Sequence, residues 1–303
     1  MAMSPAEQRI RAALPFTRLF SAYLPPSIAN WVIKGTASLV QLKGDVRRQP
    51  VSADGVGCEW LIPTNGRDDT VLLYLHGGGF IYSASSMHFE MAGYLARQMG
   101  IRVLMVDYRL APEHPFPAAL DDCVTAYRWL LKKGYAAKNI VIGGDSAGGN
   151  LTLTSLLKLK SDGDPLPAAA ACLSPVADFT NKEDRFLDGF DAVLHPRAAK
   201  FMNDSYLAGQ DASNPLISPA YGDWRDLPPL LIHAGGEEIL REDAIRVGEL
   251  AHDAGVAALV KIYPRMWHVW QINLELPQAI QSLDEIAQFL CRQLDTANSK
   301  HLQ

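Results

Sequence analysis

The chain has 303 residues, 48% of them apolar, with a net charge of −5 and no basic run. It can bury a large core, and the acidic balance argues against a nucleic-acid partner, which needs clustered Lys and Arg. No stretch approaches the roughly 18 consecutive apolar residues of a membrane span, and Met1-Ala2-Met3-Ser4-Pro5 lacks the charged start and apolar core of a signal peptide, so a cytoplasmic location is expected.

Residues 1–45 are expected to be helical and amphipathic, with Ile10, Leu14, Leu19, Tyr23 and Leu24 set among Arg9, Arg11 and Arg18. Pro15 and Pro25-Pro26 break that pattern. They cut a membrane-surface helix short and favour a helical lid or cap. Strands are expected at 46–52, 56–62, 71–76, 102–107, 139–143, 168–173, 229–234 and 258–263, with helices near 86–99, 117–133, 147–161, 241–254 and 276–293. Strands alternating with helices imply a mostly parallel α/β sheet covered on both faces. Val103-Leu104-Met105-Val106 is apolar throughout, as a doubly buried strand should be.

Residues 178–215 interrupt the alternation, mixing Asp178, Asp184, Asp188 and Asp191 with Phe179, Phe186, Phe190 and Phe201. An insertion after a central strand sits above the carboxyl edge of the sheet. The expected organisation is therefore 1–45 and 178–215 as two parts of a cap, and 46–177 and 216–303 as two parts of the core. Cys58, Cys123, Cys172 and Cys291 are scattered without C-x-x-C spacing and read as small buried hydrophobes.

Two glycine-rich motifs carry chemistry. After the apolar strand 71–75 comes His76-Gly77-Gly78-Gly79-Phe80, which leaves bare N–H groups at the carboxyl edge of the sheet. Gly144-Asp145-Ser146-Ala147-Gly148 stands between the strand former Ile140-Val141-Ile142 and a helical run. A serine between glycines at a sharp strand-to-helix turn is a nucleophile elbow, and an HGGG loop is its usual oxyanion-hole partner. Donors fixed in advance at a developing oxyanion are each worth about 3–4 kcal/mol of barrier. The N–H groups of Gly77, Gly78 and Ala147 are assigned to this role.

A serine hydroxyl needs a base, most often a histidine held by a carboxylate, in the chain order Ser, acid, His. Of His195, His233, His252 and His268, the first falls in the cap segment, the second in a strand and the third in a helix. His268 follows the last strand and is the expected base. The loop after strand 229–234 offers two adjacent carboxylates, Glu237 and Glu238, and an acidic helix start would account for one of them.

With HGGGF at 76–80, DYRLAPEHPFPAA at 107–119, GDSAGGN at 144–150 and MWHVW at 266–270, the chain from about residue 46 onward resembles the hormone-sensitive lipase group of α/β-hydrolases, in particular its bacterial carboxylesterases. The resemblance implies the α/β-hydrolase fold, an eight-stranded and mostly parallel sheet with helices on both faces and a helical cap. Aligning Leu240-Arg241-Glu242-Asp243 with the family's acid loop puts the triad acid on Glu238, where Asp is commoner. The implied activity is hydrolysis of short-chain acyl esters through an acyl-enzyme on Ser146, with His268 as base and no metal or organic cofactor. Arg109 and Glu113 are expected to brace backbone. The resemblance also implies a homodimer through 258–263 and 276–293. Two alternatives stay open: a related amidase, deacetylase or lactonase, and a non-catalytic small-molecule receptor on the same fold.

Overall fold

The structure, a computed structural model, describes residues 3–42, 45–180 and 191–299. The strands β1 (Val46–Ala53), β2 (Val56–Pro63), β3 (Arg67–Leu75), β4 (Ile101–Val106), β5 (Ile140–Asp145), β6 (Ala169–Leu173), β7 (Leu230–Gly235) and β8 (Ala258–Tyr263) form one sheet in the order β1-β2-β4-β3-β5-β6-β7-β8. β2 is antiparallel to both neighbours, and the strands from β4 through β8 run parallel. Every expected strand forms within a few residues of its predicted ends.

Strand alternation explains how the sheet is covered. Val71, Leu73 and Leu75 of β3 and Ile140 and Ile142 of β5 face a layer with α4 (Ala118–Lys132), α5 (Ala147–Asp162) and the helix Arg241–Asp253. Leu72, Tyr74 and Val141 face the other way, against α3 (Ser86–Met99) and the C-terminal helix Pro277–Ser299. Side chains with period two buried on both faces produce continuous apolar runs. Cys58, Cys123 and Cys172 are buried free thiols, and Cys291 is half-buried.

At the N-terminus, α1 (Pro5–Tyr23) runs through Pro15 without ending, contrary to the break expected there. Leu14 is buried in a cluster with Tyr263, Met266, Trp267 and Trp270, and this tertiary packing holds the helix across the missing N–H. The break falls at Pro25, and Pro26 starts α2 (Pro26–Leu39), where its lost donor costs nothing. In the 178–215 segment the helix Pro196–Leu207 packs against α1. Residues 181–190, with Asp184, Phe186, Asp188 and Phe190, lie outside the described residues. Among the described residues no helix is long and apolar enough to cross a membrane.

This topology places β3 beside β5, with Leu75 paired to Gly144, so the loops after them emerge side by side. β7 and β8 pair from Leu230 with Ala258 to Gly235 with Tyr263, which does the same for their loops. Helix α5 approaches the end of β3 so closely that a Cβ at Gly148 would collide with the carbonyl oxygens of Leu75 and His76. Gly148→Ala should therefore lower stability by about 2–4 kcal/mol, read as a shift of the urea midpoint. An unchanged midpoint would mean that the helix can back away from the sheet.

Candidate active site

Four loops converge at the carboxyl edge of the sheet. Ser146 follows β5 at φ 53°, ψ −117°, a conformation that costs about 1–3 kcal/mol for a residue with a Cβ. The Ser146 N–H donates to the Leu173 carbonyl at 2.8 Å, which holds the turn against β6. The serine side chain thus stands above the sheet at the N-terminus of α5.

His268, in the loop after β8, brings Nε2 to 2.8 Å from Ser146 Oγ. Its Nδ1 lies 3.1 Å from Glu238 Oε2, in the loop after β7. A proton on Nδ1, donated to the carboxylate, leaves Nε2 as an acceptor for the serine hydroxyl. Glu238 also accepts from Ser174 Oγ at 2.9 Å and from the Gly235 N–H at 3.1 Å. All three residues of the row are buried. The neighbouring Glu237 points away and pairs with Arg11 of α1 at 2.9 Å. The two glutamates left open by the acid loop thus separate, and only Glu238 meets the imidazole.

The electrostatics follow from burial and pairing. Burial acts to lower the pKa of His268, but the hydrogen bond and negative charge of Glu238 outweigh it and hold the imidazole above its ordinary value of 6.5. Burial raises the carboxyl pKa of Glu238, opposed by the hydrogen bond and charge of His268.

One expected oxyanion donor is otherwise engaged. The Gly77 N–H donates to Asp145 Oδ1 at 3.0 Å, so it is not free to face an oxyanion. Among the described residues no protein acceptor takes the N–H of Gly78, Gly79 or Ala147. Gly78 has φ 121°, a conformation that favours glycine. The reading of Gly77 as a donor is thus corrected, and Gly79, which the sequence reading left out, is free.

Asp145 is the buried centre of a network behind this loop. Its Oδ1 also accepts from Tyr74 Oη at 2.8 Å, and its Oδ2 lies 3.3 Å from His88 Nε2. The Ser85 N–H donates to His88 Nδ1, which places the ring proton on Nε2, toward Asp145. Burial acts to raise the carboxyl pKa of Asp145, but His88 and the hydrogen bond from Tyr74 outweigh it and hold the value below the ordinary one. His76 Nδ1 lies 2.7 Å from the Gly77 carbonyl, and its ring stacks on Tyr108 at 4.3 Å. Burial, aided by His88, pushes His76 down to about 4, so it is neutral near pH 7 and donates to that carbonyl. Both sides of Gly77 are therefore fixed. The sequence held one signal of this network: an acidic residue at the end of an all-buried strand needs partners. Nothing local marked Tyr74, His88 or Ser174.

A cavity of about 50 Å³ opens beside Ser146, lined by Gly79 and Phe80, by Leu194, Ala199 and Met202, and by Ile239 and Leu240. A larger one, about 380 Å³, lies between α2, β1 and β2 and includes none of Ser146, Glu238 and His268. In the 107–119 segment Arg109 pairs with Asp122 at 2.8 Å and reaches the Ala118 carbonyl at 3.4 Å, a backbone brace as expected. Glu113, expected to do the same, is exposed and makes no hydrogen bond or ion pair among the described residues.

Residues 72–272 match the family model described as alpha/beta hydrolase fold. An acetyl-hydrolase of Streptomyces hygroscopicus is 39% identical over 240 residues, covering 77% of this chain and 78% of that protein. An esterase of Acinetobacter venetianus is 34% identical over 270 residues, covering 88% and 89%. The crystal structure of an esterase from the bacterial hormone-sensitive lipase family superposes with a TM-score of 0.89 at 38% identity, covering 97% of this chain and all of that one. The chain belongs to the α/β-hydrolase fold family, in its bacterial hormone-sensitive lipase branch.

Proposed function

We propose that the protein is a serine carboxylesterase acting on short-chain acyl esters, with Ser146 as nucleophile, His268 as base and Glu238 as the acid that orients it. The observation that carries this reading is the continuous row from Ser146 Oγ through His268 to Glu238, at 2.8 and 3.1 Å. The esterase and acetyl-hydrolase relatives support the reaction class.

Ser146 Oγ attacks the ester carbonyl carbon while its proton passes to His268 Nε2. The carbonyl electron pair moves onto oxygen, and the oxyanion accepts hydrogen bonds from the N–H groups of Gly78, Gly79 and Ala147. The positive end of α5 favours the same charge. Collapse of this intermediate breaks the bond to the leaving oxygen, which takes the proton from Nε2 and departs as the alcohol. Water then attacks the acyl carbon, gives its proton to Nε2, and a second collapse releases the acid and restores Ser146. Glu238 stays ionised and stabilises the imidazolium formed in each step.

The short-acyl preference rests on the small size of the cavity beside Ser146, about 50 Å³, which Met202 and Leu194 help to line. We read the 1–45 and 178–215 segments as the two parts of a cap over this cavity. The homodimer implied by the resemblance would use the β8 edge, where Leu259 and Val260 are exposed.

Along a series of p-nitrophenyl esters, kcat/KM should peak at acetate to butyrate and fall for longer chains. Ser146→Ala should lower kcat by about 10⁶-fold while leaving the far-UV circular dichroism unchanged. A Ser146→Ala variant with most of its activity would remove the nucleophile assignment.

The pH profile tests the acid. His268 must be neutral to act as base, so kcat/KM should fall as pH drops through its pKa, with a midpoint above 6.5 because Glu238 raises that pKa. Glu238→Gln should move the midpoint to lower pH and cut kcat by about 10²–10⁴-fold. Glu237→Gln should leave both nearly unchanged, because its half-exposed pair with Arg11 is worth little. The reverse ranking would move the acid by one residue.

Asp145→Asn tests the support behind the donors. Losing the carboxylate charge weakens the bonds to the Gly77 N–H and His88. We expect kcat to fall about tenfold with KM little changed, since the loop contributes mainly to the transition state. A changed KM at constant kcat would show instead that Asp145 shapes substrate binding.

A further inference from the structure

Helix α2 is built the wrong way round for an ordinary surface helix. Its small residues Ala29 and Ala37 are buried against the body of the protein. Asn30, on the same side, donates to the Ile81 carbonyl at 2.7 Å and accepts from the Ser83 N–H at 2.8 Å. The bulky apolar side chains point the other way. Ile28, Trp31, Val32 and Leu39 recur at the spacing of one helical face, and all are exposed, Trp31 at 79% and Leu39 at 81%. On α1 the same is true of Phe16 at 76%, Leu19 and Tyr23. A monomer in water normally shows such side chains singly.

Beyond Glu7, helices α1 and α2 carry basic side chains and no acidic one. Between Glu7 and Asp45 the chain has no acidic residue and carries Arg9, Arg11, Arg18, Lys34 and Lys43, although the whole chain is acidic. Lys34 is exposed on α2, 3.8 Å from Asp107. Arg197, also exposed, lies over the Tyr23 ring at 5.0 Å. Arg18 reaches the Leu194 carbonyl at 3.4 Å, while Arg9 and Arg11 pair with Glu275 and Glu237 at the far end of α1.

We propose that the exposed apolar faces of α1 and α2 are a docking surface for a bilayer containing anionic phospholipid. Helices that lie in a membrane interface combine exposed Trp, Phe and Leu with Lys and Arg, and Trp and Tyr settle at headgroup depth. The apolar side chains enter the acyl boundary, and the cations meet headgroup phosphate. A second copy of this chain fits the face less well, because a two-fold contact would set cations against cations. Docking would seat the enzyme at the phase where apolar esters concentrate, but the inference rests on the exposed face and its charge, not on the reaction.

The test is cosedimentation of the full chain with extruded vesicles of phosphatidylcholine alone or mixed with phosphatidylglycerol. The protein should bind the anionic vesicles, more weakly at high salt, and the Trp31→Ser/Leu39→Ser variant should lose about tenfold in partitioning. Neither residue touches the catalytic row, so hydrolysis of p-nitrophenyl butyrate in buffer should not change, which also shows that the variant is folded. No vesicle binding by the wild-type chain overturns the proposal, as does equal binding by the variant. Equal binding to neutral and anionic vesicles overturns its electrostatic part. A dimer in sedimentation velocity that the variant abolishes, with no vesicle binding, assigns the face to a second copy and likewise overturns it.

Discussion

A single buried carboxylate ties together the two loops on which the site depends. Asp145 stands immediately before Ser146, and it holds Gly77, Tyr74 and His88 at once. A buried charge is costly unless its oxygens are satisfied, and here every partner is itself part of the glycine loop or the elements beneath it. Positioning of Ser146 and positioning of the glycine-loop N–H groups are therefore one problem with one solution. The close contact of α5 with the end of β3, which only glycine at 148 permits, brings the two loops near enough for that carboxylate to span them.

On the other side of Ser146 the arrangement is electrostatic. Glu238 is held by Ser174 and the Gly235 N–H, so its oxygens are satisfied before the imidazole arrives. Asp191, from the segment before helix Pro196–Leu207, accepts from the Ile239 N–H at 3.2 Å and braces the same loop. The N-terminal helix joins this support: Arg11 pairs with Glu237, contacts the Arg265 carbonyl and lies over the Trp267 ring at 5.1 Å. A helix far away in sequence thereby packs against the loops that carry Glu238 and His268. The same helix lines up with Pro196–Leu207, whose Ala199 and Met202 close the cavity beside Ser146.

Much of this was legible in the linear chain. Apolar runs bounded by turn residues marked all eight strands, because a strand buried on both faces cannot hide its composition. The elbow and the glycine loop were legible because close backbone approach and positive φ demand glycine at set spacings. His268 followed from chain order, since the base must emerge at the same sheet edge as the serine. The N-terminal segment was read less well. Pro15 suggested a break by local rules, and packing of Leu14 into an aromatic cluster overrode it. Helix Pro196–Leu207 was absorbed into the cap reading, because an amphipathic pattern has little local meaning without the partner it covers.

The sequence by itself determined the fold class and singled out Ser146, His268 and the two glycine motifs, since each rests on a local backbone requirement or on chain order that residue types reveal. The residue types alone left Glu237 and Glu238 open and the family resemblance pointed to Glu238; the tertiary structure shows which of them faces the imidazole thirty residues away. The tertiary structure likewise shows the Gly77 N–H donating to Asp145, while the Gly79 N–H meets no protein acceptor among the described residues. An N–H group carries no sign in sequence of whether a carboxylate from another strand has already taken it. The direction in which α2 turns its bulky face is of the same kind: periodicity shows that a face exists, and only packing decides which face is left to the solvent.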